Sequence, residues 1–394
     1  DATTQRVIWT WGIAAVGYLM RPIGGFIYGF LGDRYGRRPM LFVSIVGMGL
    51  PTIAIGLLPT YATSGALSWA LLLTLRLIQG LCVGGEFPGS RVYLVEHAPT
   101  NHRGLMGSMQ AMFAAFGVLL ASGLGTVVTA ILTRQEVIDW GWRIPFLFSA
   151  VIVVIGVVLR IGISETPVYR RLSARGAKAP NPIKTVFQRN WGALLRCAAL
   201  VWVQAVSYVL PAAYLSTWFT TSGRLTLAAA LTLTTISQLI AAFFIPLGGW
   251  LSDRYGRRPI MIWAALAMCL LSVPLFLWMT GQPTSCIAAV LVGQIVVLGL
   301  SRFYEGPLGT LMAESFPPET RTAGVAVSYN LAAGLLGGAT ALFATWLVAK
   351  TDIAWSPACY LVAVSIIGVI VLLFGMRETA FRPLPDGNAE DVGH

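Results

Sequence analysis

The sequence predicts an all-α polytopic membrane protein made of two homologous halves. Three observations carry that prediction: composition, the length of the apolar blocks and an internal repeat. Of 394 residues, 56% are hydrophobic and 11% charged, with a mean hydropathy of +0.73. A soluble domain carries about 25% charged residues, so this chain cannot clothe a water-facing surface. The apolar residues fall into about eleven blocks of roughly twenty or more, each long enough to cross a hydrocarbon core of about 30 Å as a helix. The segment Gly29-Phe-Leu-Gly-Asp33-Arg34-Tyr35-Gly36-Arg37-Arg38-Pro39 recurs, offset by 220 residues, as Gly249-Trp-Leu-Ser-Asp253-Arg254-Tyr255-Gly256-Arg257-Arg258-Pro259. The composition excludes a soluble enzyme, a disulfide scaffold and a disordered chain.

Taken in chain order, the predicted spans are 7–31, 40–58, 68–92, 104–132, 144–163, 191–221, 225–250, 260–280, 284–312, 322–349 and 356–376. The net charge of +11 would suggest nucleic acid in a soluble domain, but its placement points to topology instead. Loops on one side carry Arg34, Arg37, Arg38, Arg103, Arg170, Arg171, Arg175, Lys178, Lys184, Arg189, Arg254, Arg257, Arg258, Arg321, Arg377 and Arg382. The other side carries only Arg6, Arg134, Arg143, Arg224 and Lys350. That asymmetry makes the richer side cytoplasmic and assigns the basic residues to orientation and anionic lipid, not nucleic acid. Tryptophans at span edges, among them Trp9, Trp11, Trp140, Trp142, Trp278 and Trp355, fit interfacial belts. The five cysteines (Cys82, Cys197, Cys269, Cys286, Cys359) lie in or beside apolar blocks without a CxxC partner, so they read as small packing residues.

A second repeated pair, Glu96-His-Ala-Pro99 with Arg103 and Glu314-Ser-Phe-Pro317 with Arg321, lies at an offset of 218. Both copies of each motif fall in cytoplasmic loops, so the halves share one topology about an axis along the membrane normal. Two spans precede the second Asp-Arg segment within its half and one precedes the first. The expectation is therefore a twelve-helix protein seen without its first helix; the alternative is eleven helices with termini on opposite sides. The expected domains are an N-terminal bundle at 1–163, a polar cytoplasmic linker at 164–190 around Pro180-Asn181-Pro182, a C-terminal bundle at 191–376, and a polar, disordered tail at 377–394.

With these residues in view, the chain resembles the major facilitator superfamily, whose signature is Gly-xxx-Asp-Arg-x-Gly-Arg-Arg in the loop after the second helix and again after the eighth. Other stretches resemble its metabolite:proton symporter branch in bacterial inner membranes. They are Arg21-Pro22-Ile-Gly24-Gly25, Arg76-Leu-Ile-Gln79-Gly80 with Gly84-Gly85-Glu86, Val95-Glu96-His97-Ala98-Pro99 with Arg103-Gly104, Trp140-Gly141-Trp142-Arg143-Ile144-Pro145-Phe146, Glu165-Thr166-Pro167, Tyr304-Glu305-Gly306-Pro307, and Arg321-Thr322-Ala323-Gly324 with Tyr329-Asn330 and Gly337-Gly338. The resemblance implies a fold of two six-helix bundles around a central cavity. It also implies alternating access driven by a proton gradient, with no metal or cofactor. The substrates implied are shikimate, dicarboxylates, citrate-like tricarboxylates, or proline and betaine. The Asp-Arg loops, by the same resemblance, stabilise the outward-open state.

Each motif also has a direct physical reading. Gly36 and Gly256 permit a tight bend, and Pro39 and Pro259 can start the next helix. Asp33 can accept bonds from arginines and from exposed helix-end amides, latching neighbouring helices; Gly29, Arg34, Arg37, Arg38, Gly249, Asp253, Arg254, Arg257 and Arg258 complete the two gating segments. Their plain alternative is a positive-inside anchor. Glu86 and Glu305 are the carboxylates deep within predicted spans, where an ionisable group is costly unless paired or hydrated, so both are candidates to carry the coupled proton. Glu86 is the first choice, and a structural ion pair is the alternative for either. Arg76, Arg302 and Arg21 are candidates to hold an anionic substrate, since guanidinium binds carboxylate through two parallel bonds. Arg302 and Glu305, at i,i+3, can meet on one helix face. Gln79, Tyr304, Tyr208 and Gln204 are further candidate substrate contacts, as are Tyr214, Gln238, Tyr329 and Asn330, although a lone polar residue on an apolar helix is more often an interhelical bond than a ligand. Glycines at four-residue spacing, including Gly25 with Gly29 and Gly80 with Gly84, allow close helix approach.

Nothing resembles a nucleotide-binding loop, a metal cluster or a nucleophile with its base, so the chain is not expected to be an enzyme or an ATP-driven pump. The expected function is proton-coupled import of a small organic acid by a monomer in the inner membrane. A symporter of a zwitterion such as proline or betaine, a proton-driven exporter of the same superfamily, and a non-transporting membrane sensor are the alternatives.

Overall fold

The computed structural model describes residues 2–222, 224–281 and 287–384. Among them there is no strand. Ten helices are long and apolar enough to cross a membrane, and Ala2–Tyr35, of 34 residues, contains the predicted span 7–31. We number these eleven α1 (Ala2–Tyr35), α2 (Arg37–Leu57), α3 (Ala66–His97), α4 (Thr100–Ile131), α5 (Gly141–Gly162), α6 (Trp191–Thr220), α7 (Ala228–Tyr255), α8 (Arg257–Gly281), α9 (Ile287–Glu314), α10 (Arg321–Thr351) and α11 (Ser356–Gly375). By the repeat, α1–α5 correspond to α7–α11. The side chains of Arg6, Trp9 and Trp11, together with Cys286, lie outside the described residues.

The helices outrun the predicted spans at their cytoplasmic ends. Hydropathy marks only the lipid-immersed part, while backbone bonding continues until a residue breaks it. In α1 the break is Gly36, with φ of 119°, and in α7 it is Gly256, with φ of 100°. Both values lie in the region that L side chains avoid. Asp33 and Asp253 therefore sit on the last helical turn rather than in the loop predicted for them, and the turn between helices is a single glycine.

Within the first half, α1 packs on α3, and α2 packs on α3 and α5; the second half repeats this with α7, α8, α9 and α11. The halves meet along α1 with α10 and α4 with α7, and α3 and α4 also touch α9. Lipid provides no hydrophobic drive for helix association, so close packing of small residues must supply it. A Cβ at Gly29 would lie 2.8 Å from Ala323 Cα, and one at Gly104 would lie 2.5 Å from the Gly249 carbonyl oxygen. Glycine is thus required where the two bundles touch. Gly249→Val is expected to cost this closed contact about 1–3 kcal/mol. The check is cytoplasmic thiol labelling of a cysteine at the buried Ser108, which should rise; unchanged labelling would contradict the close approach.

The outer helix α5 leaves Val151, Ile152, Val154, Ile155, Val158 and Leu159 exposed, as a lipid-facing helix should. Wide π-type turns interrupt α6 at Leu210–Tyr214, α10 at Leu331–Gly337 and α11 at Val371–Gly375. In the loop before α5, a short helix Arg134–Asp139 starts at a capping box in which Thr133 accepts from the Glu136 amide. The Thr133 amide and hydroxyl return bonds to Glu136 and hold its carboxyl below its ordinary range.

The linker contains two short helices, Pro167–Ala174 and Pro182–Arg189, capped by Thr166 and Asn181. The tail predicted to be disordered from 377 is ordered in its described part. Glu378 accepts from the backbone amides of Arg257 and Arg258 at 2.9 and 3.0 Å, and Thr379 donates to Glu314 at 2.6 Å. A polar composition hid these specific acceptors; residues 385–394 lie outside the described residues.

Candidate functional site: two cytoplasmic latches and a charged cluster between the bundles

The cytoplasmic ends of the two halves are tied by a pair of matching networks. Asp33, fully buried, accepts from the Thr322 and Ala323 amides at 3.0 and 2.8 Å, which have no intrahelical acceptor at the start of α10. Asp253 accepts from the Gly104 and Leu105 amides, both at 2.8 Å, at the start of α4. Each half thus plugs its aspartate into a helix N-terminus of the other. Arginine one turn on completes each tie: Arg37 lies 3.3 Å from Asp33 and Arg257 lies 2.7 Å from Asp253.

Behind the aspartates sits a second acid that sequence reading quoted as a repeat without giving it a role. Glu96 accepts from Arg37 at 3.1 Å, from Arg321 of the other half at 2.9 Å, and from the Thr166 hydroxyl at 2.6 Å. Its counterpart Glu314 lies 2.8 Å from Arg103, again across the halves, and 3.5 Å from Arg257. Glu165 accepts from the amides of Arg37 and Arg38 at 3.1 Å, as Glu378 does for Arg257 and Arg258. A side chain at Gly36 or Gly256 would collide with these glutamates, a second reason for glycine there. The signal that could have exposed this layer is the dipeptide Glu-Thr at 165–166 and 378–379.

The outer residues of the gating segments serve helix ends. Arg38 donates to the Ile161 carbonyl at the end of α5, and Arg258 donates to Leu372 and Leu373 near the end of α11. Arg254 lies over the Trp250 ring at 4.0 Å, while Arg34 is exposed.

Further into the membrane, the halves share a charged cluster. Glu305 of α9, 3% exposed, bridges Arg302 on its own helix at 2.6 Å and Arg91 of α3 at 3.1 Å. Arg91 is not among the candidates read from the sequence; its partner is 214 residues away. Arg91 is held independently of Glu305. Its Nε donates to Gln110 at 2.7 Å, and its guanidinium lies over Phe87 at 4.5 Å and Tyr329 at 5.5 Å. A Cβ at Gly309 would stand 2.8 Å from Arg91 Cδ, so the glycine makes room for the side chain. Arg302 stacks over Tyr208 at 4.2 Å, and the Tyr208 hydroxyl donates to Gln238 at 3.1 Å. Asn330 donates to the Gly84 carbonyl at 2.7 Å, joining α10 to α3.

The other candidates lie elsewhere. Glu86 faces its own bundle, accepting from Ser44 and from both terminal nitrogens of Arg160 on α5. Arg76 donates to Gln79 at 3.3 Å, and Gln79 donates to Thr52 of α2 at 2.7 Å, so this pair is engaged within the N-terminal half. Tyr304 is fully buried in the C-terminal core with its hydroxyl on the Leu200 carbonyl at 3.3 Å. Tyr214 and Gln204 are buried in α6. Arg21 is half-buried in α1, its carbonyl close against Gly84.

Comparison with known proteins agrees with this two-fold construction. The sequence matches the pattern described as sugar (and other) transporter twice, over residues 1–186 and 173–389. The chain belongs to the sugar (and other) transporter family, within the major facilitator superfamily. Its relatives in this family include the proline/betaine transporter of Salmonella typhimurium, 33% identical over 94% of this chain and 75% of that one. The glycine betaine/proline/ectoine/pipecolic acid transporter OusA of Dickeya dadantii is 31% identical over the same shares. The solved structure of the proton:xylose symporter XylE with 6-bromo-6-deoxy-D-glucose shares the family fold at a TM-score of 0.79 and 19% identity, covering 94% of this chain and 87% of that one. The chain is accordingly a multi-pass membrane transporter of the major facilitator fold, and the resemblance carried by its Asp-Arg segments holds.

Proposed function

We propose that this protein is a proton-coupled symporter that imports a small carboxylate-bearing solute across the bacterial inner membrane by alternating access, with the single chain as the transporting unit. The observation that carries the reading is the Arg91–Glu305–Arg302 cluster, in which the two halves each contribute an arginine to one buried carboxylate. Ionisable groups inside a membrane are costly, and a cluster shared by two moving bodies is where that cost becomes useful. The cytoplasmic ties through Asp33 and Asp253 support a cytoplasm-closed, outward-facing state, which has to be undone for release on the inside. The named solutes of the relatives, proline, betaine, ectoine and pipecolic acid, all carry a carboxylate. Organic acids and zwitterions therefore stay together as one class here. The aromatic rings near the cluster are engaged with arginines, which supports recognition through the carboxylate rather than through a quaternary amine held in an aromatic cage.

The test is uptake by the reconstituted full chain with an imposed inward pH gradient, over succinate, proline and glycine betaine. At least one should accumulate, and a protonophore should abolish the accumulation. Uptake of none, or accumulation indifferent to the protonophore, would overturn the reading.

A further inference from the structure

We propose that the Arg91–Glu305–Arg302 cluster selects oxygen-rich organic anions, such as hydroxy or oxo acids, and rejects zwitterions. This rests on the transport reading above and deepens it, since that reading leaves the two kinds of solute together. The first ground is charge. Two guanidiniums share one carboxylate, each on its own oxygen, so the cluster holds one positive charge in excess. The ionisable groups near it are Tyr329 and Tyr208, which are uncharged, and Arg21 beyond Tyr329, which adds to the excess. A net anion neutralises that excess. A zwitterion brings no net charge and adds an ammonium for which no carboxylate is at hand. Glu305 is held between the two arginines, and Glu86, the other acid within the predicted spans, is paired with Arg160 inside the first bundle. An ammonium entering the cluster is repelled by both guanidiniums. Phe87 and Tyr329 lie beneath Arg91, and Tyr208 lies beneath Arg302, so a quaternary amine meets a guanidinium where a cage would have to hold it.

The second ground is hydrogen bonding, because the groups left over are donors. Arg91 Nη1 and Arg302 Nε have no acceptor among the described residues, although both side chains are more than nine-tenths buried. Buried donors are rarely left so. A guanidinium has no acceptor, so Gln110 must turn its oxygen to Arg91 Nε, and its amide N–H groups make no bond among the described residues. Gln238 likewise spends its oxygen on the Tyr208 hydroxyl. Each half thus contributes one unmet arginine donor and one amide. A carboxylate supplies two acceptor oxygens to such a set, and a hydroxyl, ether or oxo oxygen beside it supplies another. The ammonium of a zwitterion is itself a donor and satisfies none of them.

The experiment is calorimetric titration of the full chain in detergent with two shape-matched series. One is proline, tetrahydrofuran-2-carboxylate and cyclopentanecarboxylate, which place an ammonium, an oxygen and a methylene at the same ring position. The other is glycine betaine and 3,3-dimethylbutanoate, which exchange cationic nitrogen for carbon at constant shape. The ring-oxygen acid should bind most tightly, the ring-carbon acid next and proline least, with the first and last at least about tenfold apart. Dimethylbutanoate should exceed glycine betaine by a similar factor. Arg302→Gln removes the excess charge and should bring anion and zwitterion close together, whereas Glu305→Gln enlarges the excess and should widen the gap. Each readout is a ratio within one protein, and the wild-type series decides without any variant. A zwitterion that binds the wild type as tightly as its anionic match, equal binding of the ring-oxygen and ring-carbon acids, or a ratio unmoved by both substitutions overturns the inference. The transport reading, which accepts both kinds of solute, survives each of these results. If none of the five binds and none is taken up under an imposed pH gradient, both fall.

Discussion

Glu96→Gln is expected to open the cytoplasmic side of the protein. Glu96 is the acid on which Arg37 of one half and Arg321 of the other converge, and all three side chains are fully buried. Glutamine keeps the shape and removes the charge, so two buried guanidiniums lose their shared counter-ion; Asp33 remains to Arg37 at 3.3 Å. Breaking a buried pair in this way costs about 3–5 kcal/mol. That corresponds to a shift of between about a hundredfold and several thousandfold in the balance between closed and open cytoplasmic faces. The check is reactivity of a cysteine at Ser108 toward a membrane-impermeant reagent applied from the cytoplasmic side. The matching Glu314→Gln should act in the same direction but less, because Arg257 Nε and Nη2 already lack hydrogen-bond acceptors among the described residues. Equal or reversed effects would mean that the two latches are not graded as their bonding suggests.

The second large effect is expected at Arg91. Arg91→Ala removes the N-terminal half's share of the charged cluster, leaves Gln110 without its donor and leaves Glu305 with Arg302 alone. Truncating one member of a buried, hydrogen-bonded charge pair costs about 2–5 kcal/mol, so affinity for the carboxylate solute should fall between about thirtyfold and several thousandfold. Arg91→Lys keeps the charge without the planar fork and should restore only part of the loss. Unaltered affinity in Arg91→Ala would remove Arg91 from the solute site.

Much of the fold was legible because its causes are local. An apolar block of twenty residues has one stable solution in lipid, and the Asp33 and Asp253 segments stand out as charge inside an apolar background. The site was less legible because its causes are not local. Arg91 draws its meaning from Glu305 across 214 positions, and no spacing rule reaches that far. Tyr304, a candidate substrate contact, stands next to Glu305 in sequence, yet neighbouring residues on a helix face different ways. When Glu305 turns toward Arg91, Tyr304 turns into the core against Leu200. Glu86 was picked out by the same cost argument as Glu305. Its partner Arg160 lies on α5 of its own half, and pairing inside one bundle looks the same in sequence as pairing between two. The Glu165 and Glu378 caps escaped because their offset of 213 differs from the 218 and 220 of the other repeated motifs, so they fall out of register.

The central claim is that the halves move against each other, with the Asp33 and Asp253 ties closing the cytoplasmic end in the empty protein. Tyr35 and Tyr255 end α1 and α7 in opposite halves and are 61% and 64% exposed, so both accept a spin label. The most direct test is the distance between labels at these two positions, with the native cysteines replaced, measured with and without a transported solute at acidic pH. The account predicts one short distance in the empty protein and a second, longer population when solute and protons are both present. A single unchanged distance under conditions in which the labelled protein still transports would contradict it.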